Sequence, residues 1–414
     1  MKRARQRRTR PRRRAPCSDD PVTHTIVRVL TRLGAGGPPI HAVLLTRQFQ
    51  KRGFSSLLVT GRVDQADGDM SYLLRPDDPV LFIDELSRAV SPWRDWKALV
   101  RLWRLFRTER PAIVHTHTAK AGVLGRLAAH LAGVPVVVHT FHGNVLNHYF
   151  PAPVNGAMRW MEWLLAHMTD AICTLSPQQA REMTDVYRVA NARKVHIVPL
   201  GMDLEPFERL APAPEGPLVA GWLGRFVAVK DIPLLCRVVR AAPGVRFVIA
   251  GDGPQRGLLE SLSREVGPDR VHLPGWQRDV SQVIAQCHVL IQTSRNEGTP
   301  VALIQGMAAG RPFVATPAGG IVDMVSGSGQ RDAFGCDWHD NAVLARPDPD
   351  AFAAALDRMS HSSRMVHSMG VAARQFAMAH HTQEAMLDTL DRLYSDLLRK
   401  KAPRVAMAAA RLAP

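Results

Sequence analysis

The sequence predicts an α/β protein of two doubly wound, Rossmann-like domains whose parallel sheets face each other across a cleft. Three observations carry that prediction. From about residue 24, short β-branched runs alternate with amphipathic stretches. A Pro-rich passage without periodicity, residues 206–217, interrupts the pattern and reads as a linker. Beyond it the alternation starts again. Strands that alternate with helices form right-handed βαβ units with both faces of the sheet covered.

In chain order, the first half offers strands at "THTIVRVL", "SSLLVTG", "PAIVHTH", "PVVVHTF", "DAICTLS" and "VHIVPLG". Helical patterns lie between them, among them "PIHAVLLTRQFQKRG", "SPWRDWKALVRLWRLFRTER" and "LGRLAAHLAG". The second half offers "LVAGWLGR", "VRFVIAGDGP", "RVHLPGW", "CHVLIQTS" and "RPFVATP", each followed by a helical stretch. The expected organisation is a disordered basic arm at 1–22, an N-terminal domain at 23–205, the linker, and a C-terminal domain at 218–382. A long charged helix at 383–402 follows, packing back towards the N-terminal domain, and then a tail at 403–414. Ligands of such sheets bind at the carboxyl ends of the strands, so the cleft between the domains is the expected site.

At 414 residues, the chain can build a core in each domain. No stretch approaches the roughly 18–20 continuous apolar residues of a membrane span. Five widely spaced cysteines without a C-x-x-C pair argue for a reducing compartment and against a zinc site, so the expected location is cytoplasmic. Nine Lys and Arg fall in residues 2–14, leaving +7 of the net charge of +16 to the rest. Such an arm is a solvated tail, or binds nucleic acid or anionic lipid. The folded part lacks the aromatic-interleaved basic patch of a nucleic-acid reader, so no specific nucleic-acid partner is expected.

Several motifs carry chemistry. In "GWLGRFVAVKD" a strand ends at Gly224, and Arg225 and Lys230 follow where two cations can clamp a diphosphate. In "LTRLGAGGPPI" a strand runs through Gly34, Gly36 and Gly37 into a helix; the loop suits either a phosphate or a tight turn. In "SRNEGTPVALIQGMAAGRP" the residues Pro300–Ala309 read as a helix capped by Thr299 and ended by Gly310. Two polar residues, Glu297 and Gln305, stand out at the front of that apolar helix. The pair His115 and His117 invites a metal reading, but no carboxylate or cysteine accompanies it, and no metal is expected. "DGD" at 67–69 reads as a loop. His142 ends a strand and points into the cleft, and Lys120 opens a helix where it could meet an acceptor phosphate. In "SPWRDWKALVRLWRLFR", Arg94, Lys97, Arg101 and Arg104 share one helical face and Trp96 and Trp103 lie towards the other, a pattern that suits a membrane interface or a sheet-packed helix with a basic face.

Taken in order, "GAGG", "HTHTAKAGVLGRLAAHLAGVPVVVHTFHG", "VPLGMD", "GRFVAVKD", "VIAGDGPQR", "LPGWQRDV" and "NEGTPVALIQGMAAGRPFVAT" resemble glycosyltransferase family 4, retaining enzymes of the GT-B architecture. The "HTHTAKAG" variant is similar to members that build bacterial surface polysaccharides on lipid-linked acceptors. The resemblance implies a nucleotide-sugar donor, a glycan or lipid-linked acceptor, peripheral contact with an anionic membrane, and neither cofactor nor metal. It assigns His142, Arg225, Lys230 and Glu297 to catalysis. Gly36, Gly37, Gly253, Trp276, Gly298, Thr299, Pro300 and Gln305 fall to donor binding, and Lys120 and His117 to the acceptor side. Gln305 stands where the family has a second Glu, which trades a charged hydrogen bond of about 1.5–3 kcal/mol for a neutral one of about 1 kcal/mol. A nucleotide-sugar epimerase of the same architecture and a non-catalytic sugar-nucleotide-binding protein are the alternatives.

Overall fold

The computed structural model describes residues 24–63, 68–143 and 152–403. The arm at 1–22 and all but the first residue of the 403–414 tail lie outside the described residues. Two sheets account for the architecture. The first holds β1 (Thr25–Arg32), β2 (Ser55–Gly61), β3 (Val80–Phe82), β4 (Ile113–His117), β5 (Val136–Phe141), β6 (Ala171–Thr174) and β7 (Val195–Ile197). All its pairings are parallel and the order is β3-β2-β1-β4-β5-β6-β7. The second holds β8 (Val219–Leu223), β9 (Arg246–Ala250), β10 (Val271–Gly275), β11 (Val289–Gln292), β12 (Phe313–Ala315), β13 (Gln330–Arg331), β14 (Cys336–Trp338) and β15 (Ala342–Ala345). Its order is β10-β9-β8-β11-β12-β15-β14-β13, with β13, β14 and β15 joined antiparallel.

Each sheet therefore reverses its winding once, between β1 and β4 and between β8 and β11. Chain connections leave a crevice at such a switch point, which is where ligands of doubly wound sheets sit. Strand β3 and the β13–β15 ribbon went unread in the sequence because runs of two to four residues carry too little alternation. Their neighbours supply the pairing that local pattern does not.

The strands are buried on both faces by helices, which explains their continuous apolar runs. Helix Gln383–Lys400 leaves the C-terminal domain and packs on the N-terminal one. Leu387, Leu390, Tyr394 and Leu397 join Ile26, Leu45, Phe49 and Ile113 in one apolar cluster. The carbonyl of His381 accepts from the Met202 amide at 3.1 Å, which fixes the crossing. Helix Pro92–Glu109 buries Ala98, Leu99, Leu102 and Phe106, while Trp96 and Trp103 sit on its outer side, not on the sheet.

Leu390 is fully buried in the cluster that holds the returning helix. Leu390→Ala is expected to lower stability by about 2–5 kcal/mol in urea unfolding; a loss below about 1 kcal/mol would mean that this side chain does not fix the helix.

Candidate active site

Four loops meet where the two switch points face each other. From the N-terminal domain come the turn after β1 and the end of β5. From the C-terminal domain come the turns after β8 and β11. Together they wall a cleft of about 650 Å3, and Gly36, Gly37, His142, Arg225, Lys230, Trp276, Glu297, Gly298, Thr299, Pro300 and Gln305 all line it. A second cavity, of about 920 Å3, lies between the linker and the helices at Pro349–Ser360 and Ser363–His380. None of the expected site residues lines it.

Glu297 is the polar centre of the C-terminal wall. Its Oε1 accepts from Lys230 Nζ at 2.5 Å, Ser294 Oγ at 2.5 Å and Gln292 Nε2 at 2.7 Å. The strands β8 and β11 pair side by side, so the loops carrying Lys230 and Glu297 emerge together. Asp231 locks them: Oδ1 accepts from the Leu234 amide at 3.2 Å as the cap of helix Ile232–Ala241, and Oδ2 accepts from Arg295 Nε at 2.7 Å. Thr293 Oγ1 also donates to the Lys230 carbonyl at 2.9 Å. Sequence reading missed Asp231 and Arg295 as the supports of the cation and the carboxylate. An Asp directly before an "IP" helix start was the legible signal.

The helix at Val301–Ala308 starts one residue later than expected, and Pro300, not Thr299, is its N-cap. Thr299 makes no capping bond, and its Oγ1 is buried without a protein partner. The proline ring fixes φ at −65°, and its ψ of 116° keeps Thr299 outside the helical frame. Thr299 thus keeps a hydroxyl for a ligand. Gly310 takes the left-handed end, with φ +71°.

Two glycines set how near the domains come. A Cβ on Gly298 would lie 2.1 Å from the carbonyl oxygen of His142, and one on Gly37 would lie 3.2 Å from Val301 Cγ2. Gly253 does not line the cleft. At φ +153° its Cβ position lies 2.7 Å from the Phe226 carbonyl oxygen, so it lets the 250–254 loop pack under the loop that carries Arg225.

Two acceptor-side expectations need correction. The Lys120 ammonium is taken by Asp95 Oδ1 at 2.5 Å and by the Ala89 carbonyl, because helix Pro92–Glu109 packs against its own helix. His117 is fully buried beneath the cleft wall, under helix Gly37–Lys51, and does not line the cavity. Of "DGD", Asp67 lies outside the described residues and Asp69 accepts from the Ser71 amide at 2.8 Å in a local turn.

His41, His115, His117 and His139 form a buried layer under the cleft, and the half-buried His142 sits on it and lines the cleft. His117 Nδ1 lies 3.0 Å from His142 Nε2, while His115 bridges Tyr394 OH at 2.5 Å and Thr140 Oγ1 at 2.7 Å. His41, from the first helix, completes the layer with neither ring nitrogen partnered. Sequence reading did not single it out, because a lone histidine in a helix carries no spacing signal. Burial holds His41, His115, His117 and His139 well below the usual imidazole range and pushes His142 down to about 3.

Two facing Rossmann-like domains with a paired carboxylate and lysine at the cleft between them define the GT-B architecture. Two family models match: Glycosyltransferase Family 4 over residues 35–206 and Glycosyl transferases group 1 over residues 217–362. The chain belongs to glycosyltransferase family 4. It is 27% identical over 348 residues to the UDP-Gal:alpha-D-GlcNAc-diphosphoundecaprenol alpha-1,3-galactosyltransferase of Escherichia coli, covering 78% of this chain and 86% of that one. Its fold matches Anabaena HepE, solved with UDP and glucose, at a TM-score of 0.72 and 17% identity, over 90% of this chain and 99% of that one. It matches the sucrose-phosphate synthase of Thermosynechococcus elongatus at 0.74 and 19%, over 91% and 100%.

The buried rings set a pH dependence. In the unfolded chain a histidine takes up a proton near about pH 6.5. The folded protein holds these rings neutral, so their stability is fully present above that pH and is lost as pH falls below it. Each ring removes up to about 1.4 kcal/mol per pH unit. Urea unfolding at about pH 7 and about pH 5.5 should differ by several kcal/mol; a difference under about 1 kcal/mol would mean the layer opens to protons without unfolding.

Proposed function

We propose that this glycosyltransferase moves a sugar, with retention, from a nucleoside-diphosphate donor to a lipid-linked glycan acceptor in bacterial surface polysaccharide or lipopolysaccharide synthesis. The observation that carries it is the Lys230–Glu297 pair on one wall, facing the Gly36–Gly37 loop on the other. The name of the Escherichia coli relative supports a lipid-diphosphate acceptor.

All three donors to Glu297 fall on Oε1, which leaves Oε2 to accept from a donor-sugar hydroxyl. The Thr299 hydroxyl and the amides at the start of helix Val301–Ala308 then meet the diphosphate, with Arg225 and Lys230 as its cations. The bond between the anomeric carbon and the phosphate oxygen breaks and that electron pair leaves with the diphosphate. The acceptor hydroxyl attacks from the same face, and its proton passes to the leaving phosphate oxygen. His142, held neutral, offers a hydrogen bond to the sugar and not a charge. Fixed cations and a helix N-terminus balance the leaving dianion, so we infer that the reaction needs no metal or cofactor. Gln305 supplies a neutral acceptor where the family's Glu would bind the nucleotide ribose, which weakens donor binding without removing the contact.

A thermal-shift series with UDP, GDP, ADP and TDP tests this reading. One base should stabilise the protein, by about 2.7 kcal/mol at one hundred times its dissociation constant. Arg225→Ala and Lys230→Ala should each weaken that ligand at least tenfold, and Gln305→Glu should tighten it. Unchanged affinity in both cation variants would remove the cleft assignment.

We also infer that the N-terminal domain docks on the anionic cytoplasmic face of the membrane. Among the described residues no helix is long and apolar enough to cross one. Trp93, Trp96 and Trp160 are 67%, 58% and 64% exposed, and they lie on two helices, Pro92–Glu109 and Ala152–His167, that both pack against helix Ala119–Ala132. Lys97 Nζ lies 5.1 Å from the Trp93 ring centroid, and Arg94, Arg101 and Arg104 are exposed on the same helix. Indole rings with basic neighbours suit the headgroup layer. The triple variant Trp93→Ala, Trp96→Ala, Trp160→Ala should lose flotation with phosphatidylglycerol vesicles at least tenfold while its urea midpoint stays near wild type. Equal flotation would exclude this face.

A further inference from the structure

The histidine layer contains three facing ring-nitrogen ligands, of which only His142 has a part in donor-sugar binding. His41, His117 and His142 place one ring nitrogen each within 4.8 Å of one another, the sole such group of three or more metal-ligating side chains among the described residues. Their ring centroids are 5.5 Å apart for His41–His117, 5.0 Å for His41–His142 and 5.2 Å for His117–His142. Metal–nitrogen bonds of about 2.0–2.1 Å place the centroids of three imidazoles in tetrahedral array about 5.2 Å apart. The rings already have that spacing. Both nitrogens of His41 and Nε2 of His117 are buried with no hydrogen-bond partner, an arrangement costly to keep unless something uses it.

We propose that His41, His117 and His142 form a site for a divalent transition-metal ion, zinc by preference, whose occupancy switches the transferase off. Three neutral imidazoles fill three tetrahedral positions, and the fourth faces the cleft on the His142 side, where water or a phosphate oxygen completes the shell. No bond is broken and no electron moves. Ligation replaces the contact between His117 Nδ1 and His142 Nε2, and each ring keeps its proton on the nitrogen turned away from the metal. The buried Arg28 guanidinium below the layer opposes a dication, and an anionic oxygen in the fourth position offsets it. The inhibitory consequence rests on the role given to His142 above: a metal-bound His142 no longer reaches the donor sugar.

Reading sequence spacing alone sets a metal aside, because His115 and His117 share a strand face without a third ligand. The third comes from helix Gly37–Lys51, which only the packing brings near.

The test titrates purified full-length protein with Co2+, without nucleotide. Wild type should show the intense visible band of tetrahedral cobalt, saturating at one equivalent and abolished by Zn2+. His41→Gln and His117→Gln should each weaken Co2+ at least tenfold, and Zn2+ should inhibit wild-type turnover but not that of His41→Gln, whose metal-free donor binding stays within twofold of wild type. A wild-type spectrum without the tetrahedral band, or equal affinity in both variants, overturns the proposal, and the wild-type spectrum decides even if a variant misfolds. Because the band is read without donor, its absence leaves the transferase reading standing; lost turnover leaves the metal reading standing.

Discussion

The approach of the Gly298 backbone to the carbonyl of His142 is the constraint on which the site depends. A methyl group at Gly298 would sit 2.1 Å from that oxygen, so the two domains can face each other at this distance only because the side chain is a hydrogen. Neither wall is a site alone. The N-terminal wall contributes glycines and a neutral imidazole, while the C-terminal wall contributes a carboxylate, two cations and a helix N-terminus. Contact between the walls creates one cleft lined from both domains, in which the fixed charges of the C-terminal wall face the glycine loop of the other.

Behind that contact, the protein divides its polar groups by charge. The cations that would meet a diphosphate lie on loops braced by Asp231 and Arg295, so they are in place before any ligand arrives. The histidines beneath the cleft are enclosed and neutral, bridged to Tyr394 of the returning C-terminal helix through His115. That helix therefore does more than cover apolar surface: it closes the floor of the layer on which His142 rests.

Much of this was legible in the sequence. The strand–helix alternation, the break at the linker, and the glycine loops at strand ends fixed the two-domain plan and the location of the cleft. Arg225, Lys230 and His142 stood out at strand ends and Glu297 before an apolar helix, and the structure lines one cleft with all four. Thr299 and Gly253 were given roles the structure changes. Capping depends on one ψ angle at Pro300, and a glycine can serve a loop's packing as readily as a ligand's approach. Lys120 and His117 were misplaced because helix-to-helix packing, which local pattern does not encode, decides which polar groups meet each other and which face the cleft.

By itself, the sequence determined the alternation of elements, the number of domains and the side chains that stand at strand ends, since these follow from short-range periodicity and turn chemistry. Only the tertiary structure decided which distant groups share a space: Glu297 with Lys230, Gly298 with His142, Tyr394 with His115, and His41 with His117 and His142. All of these pairings join residues from separate elements whose approach is set by the packing of strands, of helices on sheets and of one domain on the other. Sequence spacing carries no record of that approach, because nothing local distinguishes a histidine that will meet two others from one that will face solvent.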